Sequence, residues 1–280
     1  MTDIILKEPT GNPVTDRILQ GIIGFCELAF PQRLRGYYLE GSYATNTAIP
    51  ASDIDMCLLF KDAFNSDQES RDAWKIDTFS EYLVGQALDI IPLTEQQLIE
   101  QQTQDAAAVV FFKQGSRLLY GEDIRPSLAL PSFDAYRQSM IQRATHFISW
   151  HRYHPPTLTY PLTYPDSDDP FYGYNLRRHV VGNQSSYGTE RLVGTIARIA
   201  GALLAQQATV MVSSKSMIVV AYHEHIHDEW AEYIEAVFTY CRTQWQYQIP
   251  TEPMERQHLR EFYKHFLHLE NHFLQTCLIG

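Results

Sequence analysis

Tyr38-Leu39-Glu40-Gly41-Ser42, then ten residues, then Asp53-Ile54-Asp55-Met56-Cys57-Leu58-Leu59-Phe60: these two stretches decide how the chain folds. The first reads as an apolar strand over residues 36–40 that runs into a Gly-Ser turn. The second reads as a buried strand over residues 54–60, headed by two aspartates one residue apart. Side chains alternate across a strand, so residues i and i+2 share a face. Asp53 and Asp55 therefore point the same way. Two carboxylates that close repel each other, and a divalent cation between them removes the repulsion. A Gly-Ser turn offers backbone N–H groups and a hydroxyl to a phosphate. Together these residue types suit Mg²⁺-dependent transfer of a nucleotidyl or phosphoryl group.

The same residues carry a resemblance. Leu39-Gly41-Ser42, with Glu40 interposed, followed by Ser52-Asp53-Ile54-Asp55-Met56, resembles the motif of the nucleotidyltransferase superfamily, which includes DNA polymerase beta and the aminoglycoside adenylyltransferases. The resemblance covers about the first 125 residues well and the rest more loosely. It implies an α+β catalytic domain with a small mixed sheet over residues 1–128, followed by an all-helical domain over residues 129–280. It also implies a third carboxylate on a later strand, for which Asp89 in Ala87-Leu88-Asp89-Ile90-Ile91-Pro92 is the candidate. Many relatives have a second glycine in the spacer where this chain has Thr45-Asn46, and asparagine tolerates a left-handed backbone better than most residues.

Composition bounds the partners. A chain of 280 residues is comfortable for two domains. With 33 acidic against 22 basic residues, the formal charge of −11 repels a nucleic-acid backbone and suits a cationic small molecule or a protein. Cys26, Cys57, Cys241 and Cys277 form no Cys-x-x-Cys pair and read as buried thiols of a reducing compartment. The N-terminal residues lack the pattern of a signal peptide, and no apolar run is long enough to span a membrane. The expected location is cytoplasmic.

Outward from the motif, Thr15-Asp16 is a plausible cap for a helix through about Phe30. Lys61 to Arg71 reads as a polar loop. Residues 73–84 read as a helix with Trp74, Ile76, Phe79 and Leu83 inward. Residues 86–92 read as a strand ended by Pro92. Glu95–Gln102 and Ala106–Lys113 read as helices, and Leu118 to Asp123 as a short strand and turn. Beyond a boundary near 125–131, residues 133–152 form a helix capped by Ser132 or Asp134, with Tyr136, Met140, Ile141 and Phe147 inward. His154-Pro155-Pro156 ends it. A Pro-, Tyr- and Asp-rich loop spans 155–176, and long loops are often functional. Helices follow over Thr189–Gln206, Lys215 to about Tyr222, Asp228–Trp245 and Gln257–Leu278.

Three carboxylates on neighbouring strands can hold two Mg²⁺ ions about 4 Å apart. By the resemblance, Asp53 and Asp55 hold both ions, and Asp89 holds the ion on the nucleophile side or acts as base. Gly41 and Ser42 would bind a β- or γ-phosphate of ATP or another NTP. Lys215, in Ser213-Ser214-Lys215-Ser216, matches a Lys-Ser pair that reaches the triphosphate in aminoglycoside adenylyltransferases. Arg177 and Arg178 are further phosphate candidates. His223, His225 and His227 do not share one helical face and read as a polar connection. Trp230, Tyr233, Phe238, Trp245, Phe262, Phe266 and Phe273 recur at helical spacing and read as core. The expected reaction transfers NMP, as AMP from ATP, to a hydroxyl of a small-molecule acceptor such as an aminoglycoside, at a site between the domains. The alternatives are a protein or tRNA adenylyltransferase, or a non-catalytic nucleotide-binding relative.

Overall fold

The computed structural model describes residues 4–153, 158–181 and 185–279. It divides into two units, one built on residues up to Pro131 together with 179–184, the other on Ser132–Arg178 and the residues from Ser185 on.

The first unit opens with α1 (Pro13–Ala29). Its cap is Asn12, whose side chain accepts from the N–H groups of Val14 and Thr15 at 2.9 and 3.2 Å. The expected Thr15-Asp16 cap is thus corrected. Asp16 instead accepts from the backbone and hydroxyl of Thr10. Next come β1 (Leu34–Leu39), the single turn α2 (Gly41–Ala44) and β2 (Ile54–Phe60). The segment expected as loop contains a helix, α3 (Asp67–Ala73), which Ser66 caps by accepting from Glu69 N–H. Its partner α4 (Ile76–Val84) also departs from expectation. Ile76 is buried, but Trp74, Phe79 and Leu83 are 52%, 47% and 68% exposed, so they do not face the core.

β3 (Leu88–Thr94) continues past Pro92. Proline is tolerated there because β3 is an edge strand and not every N–H is needed for the ladder. Thr94 and Gln97 then exchange hydrogen bonds in a capping box that starts α5 (Glu95–Gln104). Asp105 caps α6 (Ala106–Gly115), and β4 (Arg117–Gly121) follows. The sheet order is β3-β2-β1-β4, with β2 and β3 parallel and the other pairs antiparallel.

Alternation along β2 divides its side chains between two cores. Ile54, Met56, Leu58 and Phe60 join Leu88, Ile90, Tyr37, Leu39 and the inner face of α1. Cys57 and Leu59 join Tyr38, Leu98, Phe112 and Leu118 on the opposite face. Full burial of each such side chain stabilises by about 1.5–3 kcal/mol.

The second unit begins with α7 (Phe133–His151), capped by Ser132. Tyr136 and Met140 are buried as expected, together with Ala144 and Ile148. Ile141 and Phe147 are only half-buried. The expected stop at His154-Pro155-Pro156 lies outside the described residues. Two short strands, β5 (Arg177–His179) and β6 (Ser185–Tyr187), pair with each other, so this region is helical without being purely so. α8 (Glu190–Gln207) is its buried central helix. Then come α9 (Lys215–His225), α10 (Glu229–Val237) and α11 (Pro253–Leu274). α10 and α11 each run on into a short π-helical stretch. Among the core aromatics expected here, Tyr233 and Phe238 are half-buried, and the other five are buried.

Inside this unit Glu270, fully buried on α11, accepts from Arg152 Nη1 and Tyr174 Oη, each at 2.6 Å. Asn271 on the same helix holds Leu162 through both its N–H and its carbonyl. These bonds pin the Tyr-rich segment 158–174 to α11. Three of the cysteines are buried as expected, but Cys277 is half-exposed.

Candidate functional site

The edge of the first unit's sheet collects the acidic residues. Asp53 immediately precedes β2, Asp55 is its second residue and Asp89 is the second residue of β3. In the parallel β2–β3 ladder Asp55 is paired with Asp89. Paired residues on neighbouring strands share a face and stand one strand spacing apart, about 4.8 Å. Asp53 lies two residues before Asp55, on the segment that leads into the strand. The apolar core on this side uses Cys57 and Leu59, further along β2, and leaves the acidic end uncovered. Asp89 is exposed, and Asp53 and Asp55 are half-exposed. The structure thus brings Asp55 and Asp89 side by side at one corner of the sheet, with Asp53 on the approach to β2.

The loop leading to β2 is held from below. Ser52 is buried, and its hydroxyl accepts from Ile49 N–H at 3.0 Å. Gln86 donates to the Ser52 carbonyl at 2.8 Å. Ile54 N–H reaches the carbonyl of Ala87 at 3.0 Å. These bonds lock the start of β2 against the segment that leads into β3.

The Gly-Ser turn lies directly over Asp55. Glu40 N–H donates to the Asp55 carbonyl at 2.9 Å, extending the β1–β2 ladder by one pair. The chain then turns through Gly41 at φ +60° into α2. A Cβ on Gly41 would lie 1.8 Å from Asp55 Oδ2. Glycine is therefore required twice, once for a left-handed backbone and once for the close approach of the carboxylate. The spacing signal pointed to a phosphate role for Gly41 and missed this steric one. After α2, Thr47 N–H returns to the Ser42 carbonyl at 2.9 Å, and Asn46 takes φ +58°, the backbone that a second glycine would otherwise supply.

Sequence reasoning passed over Glu40. Leu39 pairs with Met56, so Glu40 comes next to Asp55 in the antiparallel register and shares its face. Its charge is felt at Cys57, whose thiol is pushed well above the usual range by burial and then by Glu40. Tyr43, on the turn, is raised by burial and by the charge of Asp53. The signal was available in the alternation of β1, because Tyr38 and Glu40 must share a side if Leu39 faces the core.

Lys215 is the first residue of α9, and Ser214 caps that helix by accepting from Met217 N–H at 3.2 Å. Arg177 and Arg178 start β5. Arg178 lies over the Tyr247 ring and 3.6 Å from Glu190. His223 and His225 close α9, and His227 precedes α10. Among the described residues, no group of three or more His, Cys, Asp or Glu could hold a metal ion between them. Also among them, no helix is long and apolar enough to cross a membrane.

Residues 22–113 match the profile of a family described as nucleotidyltransferase domain. No curated protein sequence matches the chain. Among solved structures, the chain is similar in fold to spectinomycin adenyltransferase AAD(9) from Enterococcus faecialis, determined with ATP and spectinomycin. The identity is 14% and the TM-score 0.51, over 89% of this chain and 98% of that one. A toxin–antitoxin structure with AMP-PNP matches at 19% identity and a TM-score of 0.28, over 48% of this chain and 91% of that one.

Proposed function

We propose, from the premise that residues 22–113 make this chain a member of the nucleotidyltransferase superfamily, that it transfers AMP from ATP to a hydroxyl of a small-molecule acceptor. One observation carries this reading: Asp55 and Asp89 are paired in the ladder, and Gly41 leaves room for the Asp55 carboxylate.

In residue type these carboxylates suit Mg²⁺. Asp53, Asp55 and Asp89 offer hard carboxylate oxygens from adjoining positions. Mg²⁺ takes one or two protein carboxylates and completes its shell with phosphate and water, so a closed protein cage is not expected. When bound, Mg²⁺ neutralises the triphosphate and lowers the pKa of the attacking hydroxyl. The chain's own residues do the rest. Gly41 N–H, Ser42 N–H and the Ser42 hydroxyl donate to the β- or γ-phosphate. Exposed Asp89 accepts the proton of the acceptor hydroxyl. The acceptor oxygen then bonds to the α-phosphorus as the bond to pyrophosphate breaks. Catalysis of this kind is mainly positioning and charge neutralisation.

The formal charge of −11 and the Tyr-rich segment before β5 support a cationic acceptor of aminoglycoside type. The test is ATP turnover across a panel of hydroxylated amines, read as pyrophosphate release and a mass gain of one AMP on the acceptor. Wild-type turnover by Asp53→Asn would sink the metal assignment. A labelled protein band from lysate, with no small-molecule product, would move the acceptor to a macromolecule.

A further inference from the structure

α4 presents its sides in the reverse of the usual order. It buries Ser80 and Glu81, and Glu81 Oε1 accepts from Leu88 N–H at 2.9 Å. That bond and buried Ile76 fix which side of α4 faces inward. Phe79, Tyr82 and Leu83 are thereby held outward, where a surface helix ordinarily carries charged and polar residues.

α1 continues the same apolar surface. Phe25 on α1 stacks on Phe79 at 4.9 Å, which joins the two helices. Beside Phe25, Val14, Gly21 and Leu28 follow one another at two-turn spacing and form one outward stripe of α1. Gly21 and Gly24 have nothing within 4 Å of where a Cβ would stand, so the stripe is low between Val14 and Leu28. Val14, Leu28, Phe79, Tyr82 and Leu83 are between 47% and 72% exposed. Side chains of this size and exposure together present roughly 500 Å². A specific interface takes about 800 Å² from each partner, about 60% of it apolar, which is the same area.

One copy carries both halves of a fit. The outward side chains of α4 make a ridge, and the glycines of α1 leave a furrow on the continuous face. A two-fold axis would set the ridge of each copy into the furrow of the other, the isologous arrangement of most homodimers. We propose that two copies of this chain associate through the outer faces of α1 and α4. The face shares no residue with the acidic corner of the sheet.

The test is sedimentation velocity of the full chain over a concentration series. A monomer–dimer equilibrium with a micromolar or tighter Kd is expected. Leu28→Glu combined with Leu83→Glu should weaken it by about tenfold or more. Both residues are exposed, so the fold should survive, which circular dichroism checks. Met254→Glu, at an 87% exposed position on α11, should dimerise like the wild type. A short bismaleimide should join two copies of Leu83→Cys and leave Met254→Cys at the background of the parent chain. Monomer throughout the series, an unchanged Kd in the double variant, or cross-linking of Met254→Cys in place of Leu83→Cys would each overturn the proposal.

Discussion

In Gly41→Ala the added carbon stands 1.8 Å from Oδ2 and 2.7 Å from Cγ of Asp55, on a backbone held at φ +60°. Ordinary contact needs the carboxylate or the turn to retreat by roughly 1.5 Å. Two effects follow, and they can be separated. A left-handed backbone destabilises an L-residue by about 1–2 kcal/mol. Displacing a reacting group by an ångström or more costs on the order of 100-fold in rate. Gly85→Ala isolates the first effect, because Gly85 has φ +65° with nothing within 4 Å of the new carbon. Both variants should lose about 2–8 °C in Tm by calorimetry. Only Gly41→Ala should also lose about 100-fold in Mg²⁺-dependent pyrophosphate release. Wild-type turnover in Gly41→Ala, or an equal loss in Gly85→Ala, would refute the steric reading of the turn.

Asp53→Asn and Asp55→Asn should each lower kcat by about 100-fold or more with Tm unchanged or raised, since neutralising one of several crowded carboxylates relieves repulsion. Lys215→Met should raise KM for ATP by about tenfold with a smaller change in kcat, as expected when uniform binding is lost. Arg152→Met should destabilise the helical unit more at pH 8 than at pH 5, read by urea unfolding, because Glu270 loses the partner that offsets its buried charge and must take up a proton instead. Burial raises the Glu270 carboxyl to about 7, against the opposing pull of Arg152 and Tyr174. The folded state thus holds that proton more tightly than the unfolded chain does. Its contribution to stability is full below the unfolded value and is lost as pH rises through about 7. Urea midpoints should fall from about pH 5 to about pH 8, with a smaller fall in Glu270→Gln.

β2 was legible because it is buried on both faces and reads as an unbroken apolar run from Ile54 to Phe60, with the aspartates marking where burial ends. Long amphipathic helices such as α1 and α8 were legible for the same reason of periodicity. α3 was not, because Asp67–Ala73 carries too few apolar residues to show a stripe, and Ser66 and its charged neighbours do the work of holding it. α4 misled in the opposite sense, since Phe79 and Leu83 keep helical spacing while lying outside the core. Pro92 read as a stop because a chain alone does not reveal which strand is at an edge. At the candidate site, residue types and spacing singled out Asp53 and Asp55, and the family resemblance added Asp89. The contact of Gly41 with Asp55 and the register of Glu40 depend on strand pairing, which only the fold supplies.

Because β2 feeds a core on each face and carries its acidic residues only at its start, its pairing is checked by chemistry as well as by packing. A slip of one residue would push Asp53 and Asp55 into the space of Ile54 and Met56, inside the core that packs on α1. Two unpaired carboxylates in an apolar interior are among the most expensive errors a sheet can make. The aspartates therefore act as proofreaders of their own assembly, and misregistered molecules should be eliminated before they can accumulate. Removing those charges would relax that check, so an inactive variant of this protein should also be the one most prone to populate a wrong pairing.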